Sequence, residues 1–298
     1  SWAEIALAVL DVKSCEAEII VVKRAGRDLI VSDPRFEIEI EKRLSGITWN
    51  GYNTPFLVKK PENHLVIANK YITYKKGKPT RVLIYSPYSS SIHREELVKK
   101  GEVYLKGKID EAYARLAKLK VKSRAAPDKL AAEVIPKEMV LAIALSEQID
   151  PEEFFRLDRK RLAERVYVRY GQNGSKAFVY VTSPAYAQGS MQIILSTYHS
   201  IRKKYPKARL ISDFNKGTSD DVNSVMAAVL LLDHNLADIK RKFGEEIMKD
   251  EKLEEYMAAS YNTTVVRVLK YIKDKNLENY LPETKMYLEK YRYYKNFK

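Results

Sequence analysis

The chain has 298 residues, with 53 Lys and Arg against 39 Asp and Glu, which gives a formal net charge of +14. Its 45% hydrophobic and 31% charged residues exclude a disordered chain, and 11 Gly with 11 Pro exclude collagen-like and low-complexity designs. A single cysteine, Cys15, excludes an intrachain disulfide and any cysteine-cluster zinc site.

At roughly 100–200 residues per domain, the length suits two domains or one large one. Short runs rich in β-branched and aromatic residues at 18–23, 28–32, 36–40, 64–74 and 81–85 read as strands, separated by turn clusters at Asp33-Pro34, Asn50-Gly51 and 75–79. Lys76-Gly77-Lys78 between two alternating runs predicts a hairpin over 69–85. From Ile92 the period lengthens. Leu97, Tyr104, Ala112, Leu116 and Leu119 predict one or two basic helices running to Ser123. The segment 123–127 reads as a linker or an entry loop, which sets the expected boundary between a β-rich domain, 1–125, and a mainly α domain, 126–298.

In the second domain a helix over 128–147 is expected to break at Pro136, which suits a first helical turn, and to stop at Asp150-Pro151. Alternating residues at 167–171 and 177–182 about Gly171-Gln172-Asn173-Gly174 predict an inserted β-hairpin carrying Tyr167, Tyr170 and Tyr180. Helical periods return at 191–204, 221–243, 253–260 and 264–273. In the tail, 285–298, bases alternate with aromatics, and the rings are expected to pack while the bases face solvent. No apolar run approaches the roughly 18 residues that span a bilayer. His64, His93, His199 and His234 show no metal-ligand spacing, so no metal and no organic cofactor is expected.

Glu147 is the candidate acid. It follows Ala144, Ile143 and Val140 by three, four and seven positions, so on a helix it shares their apolar face. Desolvation there disfavours a carboxylate and favours a neutral carboxylic acid, which a general acid needs.

Three ordered segments carry a resemblance: Ala142-Ile143-Ala144-Leu145-Ser146-Glu147-Gln148-Ile149-Asp150-Pro151, then Ser183-Pro184-Ala185-Tyr186-Ala187-Gln188-Gly189-Ser190-Met191-Gln192-Ile193, then Ala258-Ala259-Ser260-Tyr261-Asn262. Over about 128–275 the chain resembles the lytic transglycosylases and goose-type lysozymes. The fold class implied is α+β, with a β-rich N-terminal domain followed by a mainly α, lysozyme-like domain. The activity implied is cleavage of the β-1,4 bond between N-acetylmuramic acid and N-acetylglucosamine in peptidoglycan. Glu147 would act first as acid and then as base to give a 1,6-anhydro product, without the second carboxylate that most glycosidases use. Ser183, Gly189, Ser190, Met191, Gln192, Tyr261 and Asn262 would bind substrate, with core packing the competing role for Met191. Gly189 would let the backbone approach a sugar, and the phenol of Tyr261 would orient the acid or bond a carbonyl.

The match departs from the family pattern. The segment after Glu147 is one residue short, so alignment from Asp150-Pro151 would put Ser146 in the acid's place; the apolar register keeps Glu147. The expected partner is the glycan strand, with an envelope protein for the N-terminal domain, and the expected location is the periplasm or cell envelope. Nucleic acid, suggested by the charge and the tail, is not the expected partner. A glycan-binding protein without a working acid and a hydrolytic muramidase stand as alternatives.

Overall fold

A computed structural model of the chain describes residues 3–42, 53–179, 181–183, 185–276 and 280–297. The expected turn at Asn50-Gly51 lies outside these residues, as does Tyr180. The chain is mixed α+β, with an N-terminal antiparallel sheet followed by a helical region. It divides into two compact units, Ser1–Glu102 with Glu164–Lys176, and Val103–Ala163 with Ala177–Lys298. Residues 103–125, expected with the β-rich part, therefore belong to the helical unit.

The first unit holds β1 (Ala3–Asp11), β2 (Ala17–Ala25), β3 (Asp28–Val31), β4 (Glu37–Ile40), β5 (Phe56–Lys60), β6 (His64–Lys75) and β7 (Lys78–Tyr85). Five form a sheet in the order β3-β2-β1-β6-β7, while β4 and β5 pair separately. All pairings are antiparallel, including the expected β6–β7 hairpin. Alternation along β1 sends Ile5, Leu7 and Val9 into the core, where the register sets Ile5 opposite Val22 and Leu7 opposite Ile20. Phe36, Ile38, Phe56 and Val66 complete that core. The opposite face leaves Ile19, Val21, Ile72, Val82 and Ile84 exposed.

The helices are α1 (Glu95–Lys118), α2 (Ala131–Val134), α3 (Lys137–Glu147), α4 (Pro151–Arg156), α5 (Arg159–Asn173), α6 (Leu195–Lys204), α7 (Phe214–Ser219), α8 (Asp221–Phe243), α9 (Leu253–Asn262), α10 (Val265–Asp274) and α11 (Pro282–Lys295). By length and composition α8 could cross a membrane, but most of it is buried inside the helical unit, where α6, α7, α9 and α10 pack on it.

The expected hairpin over 167–182 is overturned: Tyr167 and Tyr170 lie in α5, both buried, and the chain continues as a 3-10 turn. Its glycines were misread as a hairpin turn. A β-carbon on Gly171 would stand 2.3 Å from the Leu97 carbonyl oxygen, and one on Gly101 would stand 1.7 Å from that of Tyr167. These glycines let α1 and α5 approach backbone to backbone. Gly174, at φ +53°, is the left-handed residue that follows the end of α5.

Two breaks position the site. Pro136 sits at the N-cap of α3, whose Met139, Val140, Ile143 and Leu145 are fully buried. Asp150 then caps α4, accepting from Glu152 N at 2.9 Å and Glu153 N at 3.2 Å, with Pro151 as the first helical residue. The chain thus turns within three residues of Glu147, the last residue of α3. Along α3 lies α11, whose Tyr287, Tyr291 and Tyr294 rings are buried. Buried rings agree with the expectation for the tail. Lys290 departs from it, being only 4% exposed rather than facing solvent.

Candidate active site

The helical unit encloses a cleft of about 550 Å³. Glu147, Ser183, Gln192, Tyr261 and Asn262 line it, together with Asn235, Thr197 and Thr264. Three segments far apart in sequence therefore meet around one cavity: the end of α3, the loop 183–194 and the end of α9. Among the described residues lining the cleft, Glu147 is the one carboxylic acid.

Local hydrogen bonding explains the loop. Ser183 Oγ accepts from Ala187 N at 3.0 Å and its carbonyl accepts from Tyr186 N at 2.9 Å, so this hydroxyl serves the loop's own turn. Short bridges pair Gln188 with Thr182 and with Ile193. Gly189, at φ +74°, lies against the main chain of α7, and an added β-carbon would stand 2.1 Å from the Thr218 carbonyl oxygen. Close backbone approach is thus required here, to the main chain of Thr218. Gln192, also left-handed at φ +47°, donates from Nε2 to Gly189 O at 2.8 Å. Ser190 and Met191 are buried, 2% and 0% exposed, and neither lines the cleft. The core role weighed for Met191 is the one observed.

Two side chains tie this loop to the acid's surroundings. Gln148, next to Glu147, donates from Nε2 to Ser190 O at 2.9 Å and to Gly189 O at 3.2 Å. The Tyr261 hydroxyl donates to Met191 O at 2.7 Å. Tyr261 thus bonds a carbonyl, and burial together with the nearby Glu147 charge keeps its phenol protonated well past the ordinary range. Asn235, from α8, donates to Ser260 O and Oγ, both at 3.1 Å, and so fixes the cleft wall before Tyr261. In the Tyr261→Phe variant the Met191 carbonyl loses its partner in a dry place. Urea unfolding should show a loss of about 1–2 kcal/mol with an unchanged denaturant slope.

Electrostatics single out Glu147. Burial pushes its pKa up to about 7, against the pull of the Lys290 ammonium and the Tyr287 hydroxyl, both of which favour the carboxylate. The Tyr287 hydroxyl faces this carboxyl without reaching full hydrogen-bond geometry. Lys290 Nζ donates to Ser146 O at 2.6 Å and to Ile149 O at 2.7 Å, the carbonyls on either side of the acid. Its own pKa is pushed down to about 8 by burial, with the charges of Glu147 and Asp150 opposing. Ser146, the other residue that alignment could put in the acid's place, is fully buried and absent from the cleft wall.

Sequence reasoning missed Lys290, Tyr287 and Asn235. The first two lie on a helix more than 130 residues beyond the acid in sequence. The available signal was a lysine at an otherwise apolar, aromatic helix position. Among the described residues no group of three His, Cys, Asp or Glu side chains clusters in a way that could hold a metal ion. Comparison with protein-family models, with curated proteins and with solved structures yields no match.

Proposed function

We propose that the protein is a peptidoglycan lytic transglycosylase with a lysozyme-like catalytic unit. The observation that carries this reading is a lone carboxylic acid, half protonated near neutral pH, at the wall of a cleft large enough for sugar rings. Protonated Glu147 donates its proton to the glycosidic oxygen as the bond to the muramoyl anomeric carbon breaks. The substrate's own acetamido oxygen attacks that carbon and occupies it, which removes the need for a carboxylate nucleophile. The Glu147 carboxylate then takes the proton of the C6 hydroxyl as its oxygen closes on the anomeric carbon. The 1,6-anhydro product leaves, and the acid is restored to its starting protonation.

The remaining wall suits such a ligand. Asn262 is exposed at the cleft, and Thr197 and Thr264 add hydroxyls. Ile194, exposed at the cleft, supplies apolar surface for the face of a sugar ring. The net charge of +14 favours association with an anionic wall polymer bearing muramoyl carboxylates, and the proposed location is accordingly the cell envelope, with the N-terminal unit as a site for a further envelope partner.

The test is incubation of the purified protein with cell-wall sacculi, followed by mass spectrometry of the soluble products. Anhydro-muropeptides are expected. Reducing-end muropeptides in their place would mean that water replaces the C6 hydroxyl, and retained binding with no product would overturn the enzymatic reading.

A further inference from the structure

We propose that Lys290 is the positioning residue of this site: buried beneath the C-terminal end of α3, its ammonium fixes the Ser146 and Ile149 carbonyls and thereby the direction of Glu147, and it places a fixed positive charge at that helix end. The inference rests on the reading of Glu147 as the acid, but its central measurement does not depend on turnover.

Geometry carries the argument. A lysine ammonium is costly to bury, and this one has given up nearly all contact with water. Two of its three N–H donors go to backbone carbonyls 146 and 149. The last carbonyls of a helix lack partners within the helix and carry its negative dipole end, so a cation fits there. Glu147 lies between the two fixed carbonyls, so its main chain cannot turn without breaking one of these bonds. The tight turn into α4 holds the same segment from the other side through the Asp150 cap.

The elements most packed on α3 are α11, α8 and α9, while α1 meets the far, N-terminal end of α3, where its Asp110 pairs with Lys137 and its Tyr113 ring lies under that lysine. From α11 come Lys290 and Tyr287, and from α9 comes Tyr261, a neutral phenol. From α8 comes the uncharged Asn235 at the cleft wall. Asp150, at the cap of α4, acts on Lys290 rather than on Glu147. Lys290 is therefore the cation that acts on the acid among the described residues. Burial alone would leave the acid too reluctant to release its proton, and the fixed ammonium offsets part of that penalty. When the proton moves to the leaving oxygen, the new carboxylate feels a cation already fixed to the adjoining main chain, which needs no rearrangement.

Carbon-13 NMR titration of the Glu147 carboxyl in the wild-type chain, Lys290→Met, Lys290→Gln and Lys290→Arg tests this directly. Loss of the charge is expected to raise the Glu147 midpoint by about one pH unit in Met and Gln, while Arg keeps it near the wild-type value. The basic limb of the pH–activity profile on sacculi should move by the same amount in the same direction. A lysine that merely capped α3 would lower stability in all the neutral variants and leave the midpoint unmoved, which would overturn the proposal. Lys290→Gln still offers a donor to one carbonyl and so guards against a collapse of Lys290→Met. Should both fail to fold, the wild-type chain decides by itself: a Glu147 carboxyl signal that moves again as Lys290 loses its proton near pH 8 supports the proposal, and one indifferent to Lys290 titration overturns it. An inactive wild-type chain whose midpoints behave as stated would count against the transglycosylase reading alone.

Discussion

Glu147→Gln is expected to abolish cleavage of sacculi, by at least about 10³-fold, because the site has one acid and no second carboxylate on the described cleft wall to take over proton transfer. The same substitution should stabilise the fold at neutral pH, and the sign follows from linkage. The folded-state midpoint of Glu147, about 7, lies above the ordinary glutamate value of 4.5. Between those two values the folded chain holds a proton that the unfolded chain releases, so this residue's contribution to stability is full below about pH 4.5 and is lost as the pH rises through 7. Glutamine mimics the neutral acid in the fold without the unfolded-state ionisation. Wild type and variant should therefore unfold alike near pH 4.5, and the variant should gain on the order of 3 kcal/mol by pH 7–8. Urea denaturation at several pH values checks the stability arm, and product analysis by mass spectrometry checks the activity arm. A fully active glutamine variant would remove Glu147 from the mechanism. Equal stability at all pH values would mean that the carboxyl is well solvated.

The strands of the first unit were legible where polar and apolar residues alternate, as in β2, β4, β6 and β7. The central strand β1 was not, because Ala6, Ala8 and Leu10 fill outward positions and turn an alternation into an apolar run. Helix α5 was misread for a tertiary reason. Gly171 gives a turn signal locally, and only the Leu97 carbonyl oxygen, which an added β-carbon would meet at 2.3 Å, explains a glycine inside a helix. The acid could be found because the register of α3 and the stops at Pro136 and Asp150-Pro151 are local features. Its supporting residues could not be found in this way. Lys290 and Tyr287 reach the end of α3 only after α11 has packed on it, and although Lys290 shares a helix face with Tyr287 and Tyr294, nothing in residues 285–298 says against what that face packs. The division of labour in the loop 183–192 was not legible either: Ser183 and Gln192 line the cleft, while Ser190 and Met191 are buried and Gly189 rests on Thr218.

Gly189→Ala is expected to be the most damaging small substitution in the loop. A left-handed backbone costs an alanine about 1 kcal/mol or more, and at φ +74° Gly189 is well inside that region. The larger cost is steric. The new methyl would stand 2.1 Å from the Thr218 carbonyl oxygen and 3.0 Å from its carbon. Main-chain atoms of α7 cannot rotate away as a flexible side chain could, so the loop itself must shift, at a cost of about 1–3 kcal/mol. A total loss on the order of 3 kcal/mol should appear in urea unfolding. Gly107 supplies a control of opposite sign in the same unit: it lies within α1, with nothing within 4 Å of an added β-carbon. Gly107→Ala should therefore stabilise by about 0.5–1 kcal/mol. The loop shift also reaches the chemistry, since Gly189 O accepts from both Gln148 and Gln192, and Met191 O accepts from Tyr261. A displacement of about 1 Å at such a wall is worth about 10²-fold in rate, so cleavage should fall by that factor even in the fraction that stays folded. If Gly189→Ala matched wild type in both stability and turnover, the loop would not rest on α7, and the cleft wall between Ser183 and Gln192 would need another support.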